Sequence, residues 1–456
     1  MIRAIHDAVW GSWLLALFLG AGICFTIRLR GFQALSVRGW WSETAGVLLK
    51  GGDGARGQLS TVCTALAATV GTGNIAGVAT ALAAGGPGAV FWMWAAAFLG
   101  MATAYAETYL GLCFRRKRAD GSYLCGPFVY LEEGFKSRAP GSVYAFFCVV
   151  ASLGMGSMVQ ANSISESAAC SFSLPPFWAG AFVTALVMAV IFGGIRRISD
   201  LAARLVPFSA GIYMALCLTV ILGYYDRVPA ALGEIFTSAF RPESAAGGVL
   251  GYGMKHAIRF GVARGVFSNE AGLGSLAVLH GSAGEDASPR QQGLWAVFEV
   301  FFDTIVSCTL TALAVLCVSG GGRGLHAGSG MDGSAMVTAC FSHCFGTIGG
   351  WLTALSMSLF AFATIIAWFY LGQQAVCYLA GDGRFVRAAC LLYGSLYLCA
   401  VFFGCVSRME LVWQLSDIFN GLMAAPNLLG LLILSGRVEK PYRNGLQTEK
   451  KKPLQQ

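Results

Sequence analysis

The chain is 456 residues long, 56% hydrophobic and 12% charged, with a formal net charge of +8. Soluble globular proteins carry about a quarter charged residues, so half that share excludes an ordinary soluble domain. The positive balance does not mark a nucleic-acid binder, because the lysines and arginines gather in alternate loops and form no single basic face.

A bilayer core about 30 Å thick is crossed by roughly 20 apolar residues in a helix, since lipid offers the backbone no partner. Eleven such runs are expected in chain order: 11–28, 60–82, 89–114, 142–168, 176–194, 202–224, 248–280, 293–318, 347–372, 387–406 and 415–435. The first follows Arg3 as a secretory leader would. No small-x-small cleavage site with a hydrophilic start comes after it, so a retained helix is expected.

Basic residues follow every second run. Arg28, Arg30, Arg38, Lys50 and Arg56 come after the first, and Arg115 to Arg118, Lys136 and Arg138 after the third. Arg196 and Arg197 follow the fifth, Arg290 the seventh, Arg384 and Arg387 the ninth. Arg437, Lys440, Arg443 and Lys450 to Lys452 close the chain. The other loops hold isolated Arg227, Arg241, Arg323 and Arg408. By the positive-inside rule the C-terminus is cytoplasmic and, with eleven spans, the N-terminus faces out. The fifteen cysteines are scattered without CxxC or metal-like spacing, so no disulfide and no transition-metal centre is expected.

The second run contains AATVGTGNIAGVATA, residues 67–81, with Gly71, Gly73 and Gly77 beside Thr69, Thr72 and Asn74. Each glycine costs up to about 1 kcal/mol inside a helix, so the cost is concentrated at one point. An interrupted helix there exposes carbonyls from its first half and N–H groups from its second, which is tolerated only along a cavity. The carbonyls suit a cation and the N–H groups an anion, a pairing that a sodium ion and a carboxylate satisfy. Gly73 and Gly77 also make a GxxxG spacing, which close helix packing alone would use. Three neighbouring polar side chains favour a ligand site. The phosphate-loop reading fails, because no strand precedes the glycines and no Lys-Ser/Thr follows.

The seventh run carries Asn269-Glu270-Ala271-Gly272, which matches Asn74-Ile75-Ala76-Gly77 in pattern. Five spans separate the two, so the segments cross in opposite directions, as an inverted five-plus-five repeat requires. The expected organisation is a peripheral N-terminal helix and loop (1–57), a core of two repeats (58–226 and 246–435) and a basic tail (436–456). Broken helices are expected in spans 2 and 7 of an all-α membrane protein.

Four stretches closely resemble the alanine/glycine:cation symporters: GTGNIAGVATALAAGGPGAVFWMW (71–94), GPFVYLEEG (126–134), GVARGVFSNEAGLGS (261–275) and LMAAPNLLG (422–430). The resemblance runs in order from about residue 60 to 435. It implies a bacterial or archaeal carrier of small amino acids driven by sodium or protons, with the fold of the neurotransmitter:sodium symporters. Val70-Gly71-Thr72-Gly73-Asn74 is similar to the unwound first helix of that fold. By that likeness the amides around Thr72 and Gly73 hold the substrate carboxylate. Asn74 and the Thr69 carbonyl then border one ion, and the Ala67 and Val70 carbonyls, the Ala361 carbonyl and the Thr364 hydroxyl enclose a second. Such an all-oxygen set suits a hard cation. Threonines in membrane helices also bond back to their own turn, which is the structural reading of Thr364.

Further pocket candidates are Trp368, one turn beyond Thr364, Gln160 in span 4, and Phe267, Ser268, Asn269 and Gly272 at the second break. Interhelical packing or hydrogen bonding would account for Trp368 and Gln160 equally. Among intramembrane acids, Glu299 and Asp303 are open to pairing with Arg264 or Lys255, Glu270 to Arg264 or a gate, and Asp303 to a weak ion site. The family usually has an acid where Gln373 stands, and no role carries over there. Neither a channel's ring of like charges nor an enzyme's nucleophile–base pair is present in the spans. The expectation is an inner-membrane carrier, not an enzyme, that imports alanine or glycine with sodium and needs no other cofactor than this coupling ion. Its partners are the amino acid, sodium and membrane lipid, with no nucleic acid and no obligate protein partner. A proton-coupled carrier of serine or D-alanine is the alternative.

Overall fold

The computed structural model describes residues 2–50, 53–118, 121–241, 253–319, 333–381, 383 and 385–442, with the backbone alone for 48–50, 53–60 and 409. Arg323, Arg384, Arg443 and the lysines at 450–452 lie outside the described residues, as does the stretch 246–252 that opens the expected second repeat.

Nearly all of the described chain is helical. Eight helices are long and apolar enough to cross a bilayer: Ile2–Arg28, Gly88–Cys113, Arg138–Phe172, Gly194–Gly223, Pro289–Ser319, Thr347–Ala380, Val386–Val406 and Glu410–Arg437. A ninth crossing is the pair Thr61–Thr69 and Thr72–Gly85, bent by 49° at its break. The apolar helix Pro176–Ile191 and the broken pair Met254–Asn269 and Ser275–His280 take the two remaining expected positions. All eleven expected runs therefore fall on helices, which keep their span numbers below.

Several ends differ from expectation. Span 6 begins at Gly194, so Arg196 and Arg197 form its first turn, where long basic side chains reach the water interface. Span 9 has 34 residues, about 51 Å at 1.5 Å per residue, and so projects beyond a 30 Å core or tilts across it. Pro176 and Pro289 stand in the first turn of their helices, where a missing N–H costs nothing. Short helices also occupy stretches expected as loops, among them Val37–Glu43, Pro127–Phe135, Val228–Ala239 and Gly333–Phe345. They are too short to cross and give no membrane-length apolar run. A small antiparallel pair, Arg116–Lys117 with Tyr123–Leu124, closes the loop after span 3.

Two spans carry wide π-turns, Ser152–Val159 in span 4 and Phe301–Cys308 in span 8. A π-turn adds a residue to the i→i−4 ladder and rotates everything beyond it, and such bulges gather at functional sites. Here they precede Gln160 and contain Asp303, two side chains that meet the first break.

Candidate functional site

The first break follows directly from its sequence. Val70 N still bonds the Leu66 carbonyl at 2.7 Å, so the helix is intact to that point. The next amide, Gly71 N, would continue the ladder to Ala67. It bonds the Asn74 side-chain oxygen at 3.0 Å instead. The freed Ala67 carbonyl accepts the Thr364 hydroxyl at 2.9 Å. Thr72 N turns to the Gln160 side-chain oxygen at 3.4 Å, and its hydroxyl donates to the same oxygen at 2.9 Å. Gln160 is fixed by its other end, which donates to the Met155 carbonyl at 3.2 Å within the π-turn. Gly71 has no room for a side chain, because a Cβ there would stand 2.5 Å from the Thr364 hydroxyl oxygen.

A second cluster lies across Gly73. A Cβ on Gly73 would stand 2.9 Å from the Ser268 α-carbon, so the two broken helices touch there. The Asp303 carboxylate accepts from Asn74 Nδ2 at 2.6 Å, Ser268 Oγ at 2.7 Å and Thr304 Oγ1 at 2.9 Å. Thr304 in turn accepts from Asn269 Nδ2 at 3.0 Å. The Thr311 hydroxyl caps the Asn74 carbonyl at 2.8 Å. Asp303 thus joins a residue of the first break to the last turn before the second.

The second break turns more sharply. Glu270, Gly272 and Gly274 have φ of 58°, 86° and 84°, the left-handed region that glycine enters without steric cost. Asn427 Nδ2 donates to the Gly272 carbonyl at 2.9 Å, Tyr144 to the Leu273 carbonyl at 2.8 Å, and Gly274 N to Glu107 Oε2 at 3.0 Å. Asn427 also donates to Glu107 at 3.0 Å and accepts from Tyr130. On its other side, Glu270 Oε1 accepts from Trp368 Nε1 at 2.7 Å.

The expected site residues therefore fall into groups. Ala67, Thr72, Gln160 and Thr364 come together around Gly71, with Val70 and Ala361 fully buried beside them in the chain. Gly73, Asn74, Ser268 and Asn269 form the Asp303 cluster. Trp368 contacts Glu270 and stands against Gly156. The Thr69 hydroxyl bonds back to Ala65 and Leu66 at 3.5 Å, leaving only its carbonyl for any other use. Phe267 and Gly272 stand apart from these groups. Phe267 packs on Trp413 with ring centroids 4.8 Å apart, and the Gly272 α-carbon faces Phe18 and Leu428.

The expected charge pairs are corrected. Arg264 does not meet Glu270, Glu299 or Asp303. It pairs with Asp417 of span 11 and lies 4.7 Å over the Trp413 ring, because it sits well before the break on the face toward that span. Glu299 pairs with His280 at 3.1 Å, and Gln292 holds the other ring nitrogen at 2.7 Å. Glu107 of span 3 is fully buried against the second break. Its role has no signal in the local sequence beyond an acid in an apolar run.

A cavity of about 910 Å³ lies among the basic loops. Thr61 at the foot of span 2 and Tyr370 of span 9 line it, with Lys117, Arg196, Asp200 and Glu285 at its mouth.

The sequence profile of the sodium:alanine symporter family matches residues 1–456. The chain belongs to that family. One relative, the sodium/alanine symporter AgcS of Methanococcus maripaludis, is 38% identical over 447 residues, covering 96% of this chain and 95% of its own. The probable sodium/glutamine symporter GlnT of Bacillus subtilis is 34% identical, over 95% of this chain and 88% of its own. Among solved structures, MhsT in complex with L-phenylalanine superposes with a TM-score of 0.59 at 16% identity, over 83% of this chain and 89% of that one. A manganese transporter of Eremococcus coleocola gives 0.53 at 11% identity, over 83% and 76%. These likenesses place the family member in the expected fold, a multi-pass membrane protein built like the neurotransmitter:sodium symporters with two broken helices.

Proposed function

We propose that this family member imports a small neutral amino acid, alanine or glycine, together with sodium, across the plasma membrane of a bacterium by alternating access. The N-terminus faces out and the C-terminus the cytoplasm, so the large cavity is the cytoplasmic vestibule. The observation that carries this reading is the Ala67 carbonyl, released from its own helix and facing the Thr364 hydroxyl of span 9. A cation held by the carbonyls of Ala67, Val70 and Ala361 and by the Thr364 oxygen ties span 2 to span 9. The substrate carboxylate then takes the amides of Thr72 and Gly73 on the other side of Gly71, where Gln160 Oε1 now accepts. The side-chain amide of Gln160 stays as a polar wall of that pocket, and Asn74 and Ser268 hold its far side through Asp303. Sodium carries its charge down the transmembrane potential, worth about 2.3 kcal/mol per 100 mV, and uptake draws on that energy.

Labelled-alanine uptake into proteoliposomes, with and without an inward sodium gradient, tests this reading in wild type and Thr364→Ala. Uptake that requires sodium, with a lower apparent sodium affinity in the variant, is the expected result. Sodium-driven uptake with unchanged sodium affinity in the variant sinks the ion site and keeps the carrier. Absence of sodium-driven alanine or glycine uptake in wild type sinks the substrate assignment.

A further inference from the structure

Among the described residues, five carboxylates are buried: Glu107, Glu270, Glu299, Asp303 and Asp417. Against them stand one buried arginine, Arg264, and one buried histidine, His280. Arg264 is taken by Asp417 and His280 by Glu299. Three carboxylates thus lack a cationic side chain in an interior where an unmatched charge is expensive. Asp303 is met by three donors, and Glu107 by the Gly274 amide and the Asn427 side chain. Glu270 differs: the Trp368 indole donates to its Oε1 and the Ser275 hydroxyl stands beside the carboxyl, and no backbone amide meets it among the described residues.

The position of this carboxyl is as telling as its partners. Trp368 is one turn from Thr364 on span 9, and Gly156, which the Trp368 side chain covers, is four residues from Gln160 on span 4. Trp368, which holds Glu270, is therefore about one helical turn, roughly 5.4 Å along the axis of span 9, from Thr364. An α-amino acid presents a carboxylate and an ammonium on a single carbon, so groups that receive both must lie about that close. Asp303 of span 8 is occupied with Asn74 and Ser268.

We infer that Glu270 receives the ammonium group of the amino-acid substrate, with Trp368 positioning its carboxylate and the Ser275 hydroxyl beside it. This rests on the amino-acid carrier reading above. Carboxylate recognition then falls to the first repeat and ammonium recognition to the second. A bound substrate draws both broken helices together. Selection against hydroxy acids follows, because a hydroxyl in place of the ammonium leaves Glu270 with an uncompensated charge.

The test is equilibrium binding of labelled L-alanine to the purified full-length protein in saturating sodium, with L-lactate, its hydroxy analogue, as competitor. Wild type is expected to bind alanine and to prefer it to lactate at least 100-fold. Glu270→Gln is expected to lose at least tenfold in alanine affinity and to narrow the alanine-to-lactate preference by a similar factor. Trp368→Phe, which leaves the carboxylate but frees its orientation, should lose less than Glu270→Gln. Lactate binding as tightly as alanine in wild type overturns the inference without any variant, so it stays testable if Glu270→Gln does not fold. A folded Glu270→Gln with wild-type alanine affinity and preference overturns it as well. Failure of wild type to bind alanine or glycine at all counts against the proposed function instead.

Discussion

In the first break the amides of Gly71 and Thr72 turn to the side-chain oxygens of Asn74 and Gln160, whereas in the second the backbone is gripped by Glu107, Asn427 and Tyr144. The first has three residues of 3-10 helix and no positive φ among its described residues, and the second has three positive φ values in five residues. In the proposed function the acceptors at the first break stand where the substrate carboxylate replaces them. At the second, the acceptor Glu107 of span 3 and the donors Tyr144 of span 4 and Asn427 of span 11 are spent on holding the turn. The same interruption of a membrane helix therefore yields an exchangeable surface in one case and an anchored corner in the other. Only the Glu270 side of the second break, toward span 9, stays outside that anchor.

Substitutions at matched positions break or sharpen this contrast. Gly71→Ala drives a methyl group into the Thr364 hydroxyl, so sodium-driven alanine uptake should fall by about 100-fold in a protein that still purifies as a single species. Retained uptake would show that the first break yields as readily as a loop. Glu107→Ala strips the Gly274 amide and Asn427 of their acceptor, each loss costing about 1–3 kcal/mol. Its thermal inactivation in detergent should come at clearly lower temperature, with alanine affinity little changed in the intact fraction. A variant that keeps its stability and loses affinity would reverse the roles of the two breaks. Thr364→Ala should weaken apparent sodium affinity by about tenfold, equivalent to 1.4 kcal/mol, in uptake measured against sodium concentration. Thr311→Val removes one bond to the Asn74 carbonyl, about 1 kcal/mol, and should lower uptake by roughly fivefold at most.

The broken helices are legible from glycine and threonine inside apolar runs, and the eleven spans from hydropathy alone. Ala67, Thr72 and Thr364 are reachable through the resemblance of the first break to the neurotransmitter:sodium symporters, and Gln160 because a polar side chain in lipid must find a partner. Phe267 and Gly272 show the limit of that logic. At a sharp turn neighbouring residues face different spans, so closeness in sequence to Ser268 does not bring Phe267 or Gly272 beside it. Asp303 and Glu107 depend on contacts between spans 229 and 167 residues apart in the chain, with Asn74 and Gly274 as partners. Asp303 also sits in a π-turn that shifts its facing away from the regular helical face its sequence predicts. Arg264 has three acids nearby in sequence and pairs with a fourth, Asp417, which only the packing of span 11 supplies.

Glu107 and Asp303 occupy corresponding places, the second span of each five-span half, and each reaches across to the other half's break. Glu107 holds Gly274, and Asp303 holds Asn74. Each half thus supplies an acid to the other half's break, beside anchors such as Gln160 and Asn427 that act within their own half. The halves, made as separate polypeptides, should therefore assemble into a stable protein when produced together and fail to accumulate when produced apart.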